Sequence, residues 1–161
     1  MWIFRKSTSS YIGASCINCD YKTVRTTLAD ILLAQTALGR SGTEFTKWAV
    51  HRLEALREVV RLDPKRMEAR RELCLLLIGH ANALDAAARR KVSEEIVATA
   101  SADDNLRQEV RKFLMQAAAF AAQQGDREWA HFQYRIALQL SSDDQEKEKV
   151  KRAIRSLTRS K

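Results

Sequence analysis

The sequence has little of what punctuates a chain, with 5 glycines and 1 proline among 161 residues. Strands and tight hairpins need such residues and long helices avoid them, so the scarcity argues against all-β architectures and favours an all-α fold. Long apolar runs are missing too. The longest, LCLLLI from Leu73 to Ile78, falls far short of the ~20 residues that a membrane-spanning helix needs. No Gly-x-x-x-x-Gly-Lys-Ser/Thr loop, Gly-x-Gly-x-x-Gly turn or Gly-x-Ser-x-Gly elbow occurs. Without a phosphate cradle, a dinucleotide turn or an exposed nucleophile, no enzymatic activity and no small-molecule substrate are expected.

Cysteine is scarce as well. Cys16, Cys19 and Cys74 are too few, and odd in number, for a secreted disulfide framework, so a reducing compartment and a cytoplasmic location are expected. Cys16 and Cys19 have the C-x-x-C spacing of zinc and redox motifs. A structural zinc needs four ligands and no second pair exists, while a thioredoxin-type site needs a preceding strand that the pattern does not offer. His51, His80 and His131 sit on or beside three different helices, with no acid at ligand or catalytic spacing. No metal and no cofactor are expected.

What is present is helical periodicity. Residues 1–21 are polar and aperiodic and read as an N-terminal arm, ahead of a helical domain over 22–161. The arm is basic, rich in serine and free of acids until Asp20, which is also the composition of an organellar transit peptide. That alternative stays open. The first helix is expected at 22–38 and carries Leu28, Ile31, Leu32 and Leu38 on one stripe. The second ends at Asp63-Pro64, with Thr43 as its N-cap, and the third runs over 64–79. The fourth is expected near 84–100, and the fifth near 104–124, where Leu106, Val110, Phe113, Leu114, Ala117 and Ala121 share a face. In the sixth, Trp129, Phe132, Ile136 and Leu140 form a second stripe beside Ala130, Tyr134, Ala137 and Leu138. Two stripes mean two neighbours, and the seventh helix, 144–158, is expected to be the second of them.

The stretch GDREWAHFQYRIALQLSSDD, residues 125–144, resembles the second helix of a tetratricopeptide repeat. Gly125 and Asp126 match that family's turn, Ala130 and Ala137 its small contact positions, and Tyr134 the bulky residue between them. Leu62-Asp63-Pro64 matches the ending of a repeat, whereas Ser142 stands where a second such Pro would be. From Pro64 to Ser142 is 78 residues, ten beyond two repeats of 34. The surplus is expected in the fourth helix or the loop after it.

The resemblance implies antiparallel helix hairpins stacked as a short right-handed solenoid of about seven helices, the last a capping helix. It further implies a concave groove that receives another protein, as a peptide or amphipathic helix. Carried onto this sequence, the groove would use Arg71, Glu72, Leu75 and Ile78 from the third helix. Lys112, Met115, Gln116, Ala119 and Gln123 would line it from the fifth. No asparagine accompanies Lys112 there, so the carboxylate grip of some family members is not expected.

The net charge is +8, placed as +5 over residues 1–66, zero over 67–142 and +3 over 143–161. Basic ends of this kind favour anionic partners. The C-terminal helix, with Lys149, Arg152, Arg155 and Arg159, is therefore a second candidate surface, suited to nucleic acid or an anionic membrane.

Overall fold

A computed structural model of the chain describes residues 43–159. These residues are all-helical, with six helices and no strand among them: α1 (Thr43–Leu62), α2 (Met67–Ala81), α3 (Ala86–Ala100), α4 (Asp104–Gln123), α5 (Arg127–Gln139) and α6 (Asp144–Arg159). The arm expected over 1–21 and the helix expected over 22–38 lie outside the described residues. Thr43, expected as an N-cap, already lies inside α1.

Local chemistry sets the boundaries. Asp63 O accepts from Arg66 N at 3.1 Å and Asp63 Oδ1 from Lys65 N at 3.3 Å. Pro64 is thus the second residue of a β-turn, where its fixed φ is suited. That is why α2 starts at Met67 and not at the expected residue 64. Aspartates cap the next three helices, Asp85 accepting from Ala88 N, Asp103 from Leu106 N and Asp126 from Trp129 N. Such caps satisfy N–H groups that a helix start leaves without partners.

Between α4 and α5, Gly125 has φ +84, a left-handed conformation that L side chains rarely adopt. Gly125 N donates to Ala122 O, and Asp126 N reaches back to Ala121 O at 2.9 Å. This pair of bonds closes a Schellman motif and reverses the chain in the fewest residues. Gly-Asp therefore ends one helix with its glycine and caps the next with its aspartate.

The core follows from the periodicity. Leu56, Leu73, Leu77, Ile96, Leu114, Ile136 and Leu140 are fully buried. The α4–α5 contact is the most extensive of any pair. Ala118 and Ala121 on α4, with Ala130 and Ala137 on α5, are buried; small side chains let two helices approach to the short end of the ~8–10 Å range. Each helix packs on those one place along the chain, and α2 also meets α4, as α3 meets α5. Two ion pairs brace α1, both with two bonds: Arg52 to Glu72 at 2.6 and 2.7 Å, and Arg57 to Glu95 at 2.7 Å each.

Three expectations change here. Phe113 is not a core residue but 42% exposed, because it lies to one side of the Leu106, Val110, Leu114, Ala118 stripe. The surplus length is not confined to the helix at 86–100 or the loop after it; α4, at 20 residues against 15 for α2, accounts for about half of it. Finally, the start of the second stripe of α5 faces α3, in addition to the contact that α5 makes with α6. The Trp129 ring lies beneath the Arg89 guanidinium at 5.8 Å and stacks on Phe132 at 5.1 Å.

Cys74 is fully buried, and burial pushes its thiol up to about 12. Only the thiolate is nucleophilic. At pH 8 iodoacetamide is expected to label Cys74 about a thousandfold more slowly in the folded protein than in 8 M urea. Peptide-level mass spectrometry scores it separately from Cys16 and Cys19, and equal rates would show that the site opens readily.

Candidate functional site

Arg70 near the start of α2 donates to Thr99 O near the end of α3, and Arg89 near the start of α3 to Ala81 O at the end of α2, so these two run antiparallel. Arg89 also meets Glu128 at the start of α5, and the chain reverses at Gly125 between α4 and α5. By these contacts α2 and α4 run parallel. Arg71 on α2 forms an ion pair with Glu109 on α4, which places these two positions opposite each other. One turn further along each helix, Leu75 is 38% exposed and Phe113 is 42% exposed. Another turn on stands Gly79, where an added Cβ would meet nothing within 4 Å. Phe120, about one turn beyond that height on α4, is 64% exposed. The two phenylalanines are seven residues apart and so share one side of α4, about 10 Å apart along its axis.

Folding normally removes such side chains from water, since burying one contributes about 1.5–3 kcal/mol. Val50 on α1 is the other large apolar side chain exposed among the described residues. Three of these four therefore belong to the α2–α4 pair.

The residues expected in a groove are divided by the structure. Arg71, Leu75, Lys112, Gln116, Ala119 and Gln123 are exposed. Glu72 is half-buried, with its carboxylate held by Arg52. Met115 packs against the core and is partly covered. Ile78 is a correction: at 3% exposure it belongs to the core, on the flank of α2 rather than its outer face. Phe120 was missed and Phe113 was assigned to the core. Their heptad spacing, offset from the buried stripe of the same helix, was the signal that could have found them.

The second candidate surface is the outer side of α6. Lys149, Arg152 and Arg155 are exposed there, while Arg159 is the last residue of the helix. Lys151 bonds Glu148 at 2.9 Å and, with help from Arg155 and Arg152, holds that carboxyl below its usual range. The basic residues thus dominate this end. Among the described residues no group of His, Cys, Asp and Glu could hold a metal ion, and no helix is long and apolar enough to cross a membrane.

A cavity of about 590 Å³ lies between α3 and α5, the second helix of each hairpin, with Phe132 and Ile136 among its lining. Nothing in the sequence marked it, because arginines and glutamates at helical spacing look the same on any solvated face. No family model matches the chain, and comparison with curated proteins and with solved structures finds no match.

Proposed function

We propose that this protein is a non-enzymatic adaptor of tetratricopeptide-like, right-handed solenoid architecture. Its α2–α4 face receives a peptide or amphipathic helix of another protein. The observation that carries the reading is the row of Leu75, Phe113 and Phe120 left exposed along two parallel helices. Parallel contact between the first helices of adjacent hairpins is what a helical repeat stack requires. An apolar strip with polar edges is suited to the anchor residues of an amphipathic helix. Arg71, Lys112 and Gln116 supply those edges.

The test pairs affinity capture with a site-specific cross-linker. With a photoreactive residue at position 116 the full chain is expected to cross-link one protein at moderate salt. Phe113→Ser/Phe120→Ser is expected to lower that yield at least tenfold while its melting temperature stays within a few degrees of the parent. Equal cross-linking by the double variant would reject the face as the binding surface.

The basic end of α6 supports a rival reading, binding of nucleic acid or an anionic membrane through Lys149, Arg152, Arg155 and Arg159. Capture that ignores both phenylalanines and falls steeply with salt would favour it, as counterion release requires.

A further inference from the structure

The cavity between α3 and α5 has a hydrophobic floor and a cationic mouth. Ile136, buried, and Phe132, half-buried, form the floor from α5, and the exposed Ala86 of α3 also lines the cavity. The Phe132 ring lies within 14° of parallel to that of Trp129, so it presents a fixed flat face. The volume, about 590 Å³, falls inside the roughly 300–1,000 Å³ typical of small-molecule sites.

The charges around it are not equivalent. Arg89 is fully committed: it donates to Ala81 O at 3.1 Å, to Asn82 O at 3.2 Å and to Glu128 Oε1 at 2.6 Å, and it covers Trp129. Arg89 and Glu128 therefore neutralise each other and latch α3 to α5. Arg90 meets Glu94 only at 3.3 Å, with both side chains largely in solvent. Such an i, i+4 pair contributes a few tenths of a kcal/mol and exchanges readily. On the facing helix, Arg135 and His131 line the mouth and have no ion pair among the described residues. Positive charge thus remains over an apolar floor without an internal partner.

Length narrows the occupant. The lining runs from Ala86 to Glu94 on one wall and from Glu128 to Gln139 on the other, which is about 12 and 16 Å at the helical rise. That accommodates a body of one or two rings. The α3 wall is shorter than the ~16 Å of a docked helix of three turns, and the site is short for a nucleic-acid backbone.

We propose that this cavity binds a small amphipathic anion, an aromatic or short acyl body bearing a carboxylate or sulfonate. The body lies on Phe132 and Ile136 and the anionic group sits between Arg90 and Arg135. The site is separate from the α2–α4 face, so it stands or falls independently of the adaptor reading.

The probe is 1-anilinonaphthalene-8-sulfonate, titrated into the full chain and followed by its fluorescence. One saturable site is expected. Arg90→Glu/Arg135→Glu should weaken it at least tenfold, and Arg135→Gln should weaken it several-fold. Both arginines are exposed, and unchanged circular dichroism and melting temperature would show that the variants fold. Phe113→Ser/Phe120→Ser should leave the affinity unchanged, while uncharged N-phenyl-1-naphthylamine should bind at least tenfold more weakly than the sulfonate. Affinity that ignores the arginines, that disappears with Phe113 and Phe120, or that never saturates would overturn the proposal.

Discussion

Glu146→Ala is expected to destabilise the protein by about 2–4 kcal/mol and to release α6 before the rest unfolds. Glu146 accepts from the Arg111 guanidinium of α4, from Ser142 N at 3.1 Å and from Ser142 Oγ at 3.3 Å. The two charged side chains are 14% and 17% exposed, so solvent screens them weakly. Arg111 Nε already lacks an acceptor, and loss of the carboxylate would leave the whole guanidinium uncompensated. Removing one partner of a buried pair costs about 3–5 kcal/mol, and the residual exposure here lowers that. Hydrogen exchange should show the amides of α6 losing protection ahead of those of α4. Arg111→Met/Glu146→Met should recover most of the loss, because the cost lies in the stranded charge more than in the missing attraction. Urea midpoints equal to the parent's for Glu146→Ala would show that the pair behaves as a surface one.

Leu114→Ala should have a comparable effect through a different cause. Leu114 is fully buried on α4, whereas Phe120, six positions further along the same helix, is 64% exposed. Truncating a fully packed leucine loses its transfer free energy and leaves a cavity, for about 2–5 kcal/mol. Phe120→Ala removes a larger side chain, yet its cost should stay within about 0.5 kcal/mol, as at other exposed positions. Thermal denaturation should place Leu114→Ala on the order of 10 °C below the parent and Phe120→Ala beside it. Similar shifts for the two would mean that the aromatic face is covered in the free protein, which would contradict the adaptor reading.

Much of this architecture was legible in the chain because its signals are local. Asp103 and Asp126 cap helices whose starts the sequence marks, and Gly125 takes the left-handed conformation that a reversal there requires. Leu106, Val110, Leu114 and Ala121 are buried, as their spacing implies. What could not be read depended on neighbours. Pro64 is allowed both in a first helical turn and in a β-turn, and bonds to Asp63 decide between them. Ile78 and Leu75 are three residues apart on α2, yet one flank of that helix is covered and its outer side is not. Trp129 and Phe132 implied a second neighbour, for which the spacing suggested only the helix next along the chain. Arg89 chose α3, and only a long-range contact carries that information. The α3–α5 cavity was invisible for the same reason, since its two walls come from segments about forty residues apart.

Because each packed helix meets partners only one or two places away along the chain, few long loops must close before contacts form. Such low contact order belongs to proteins that fold in microseconds to milliseconds. In the proposed solenoid, order can start in any hairpin and spread to its neighbours. The α4–α5 hairpin, with its extensive contact and a turn closed by Gly125, is the natural place for that growth to begin. A growing polypeptide would therefore bury its hydrophobic surface hairpin by hairpin as it emerged, with little need to wait for distant segments.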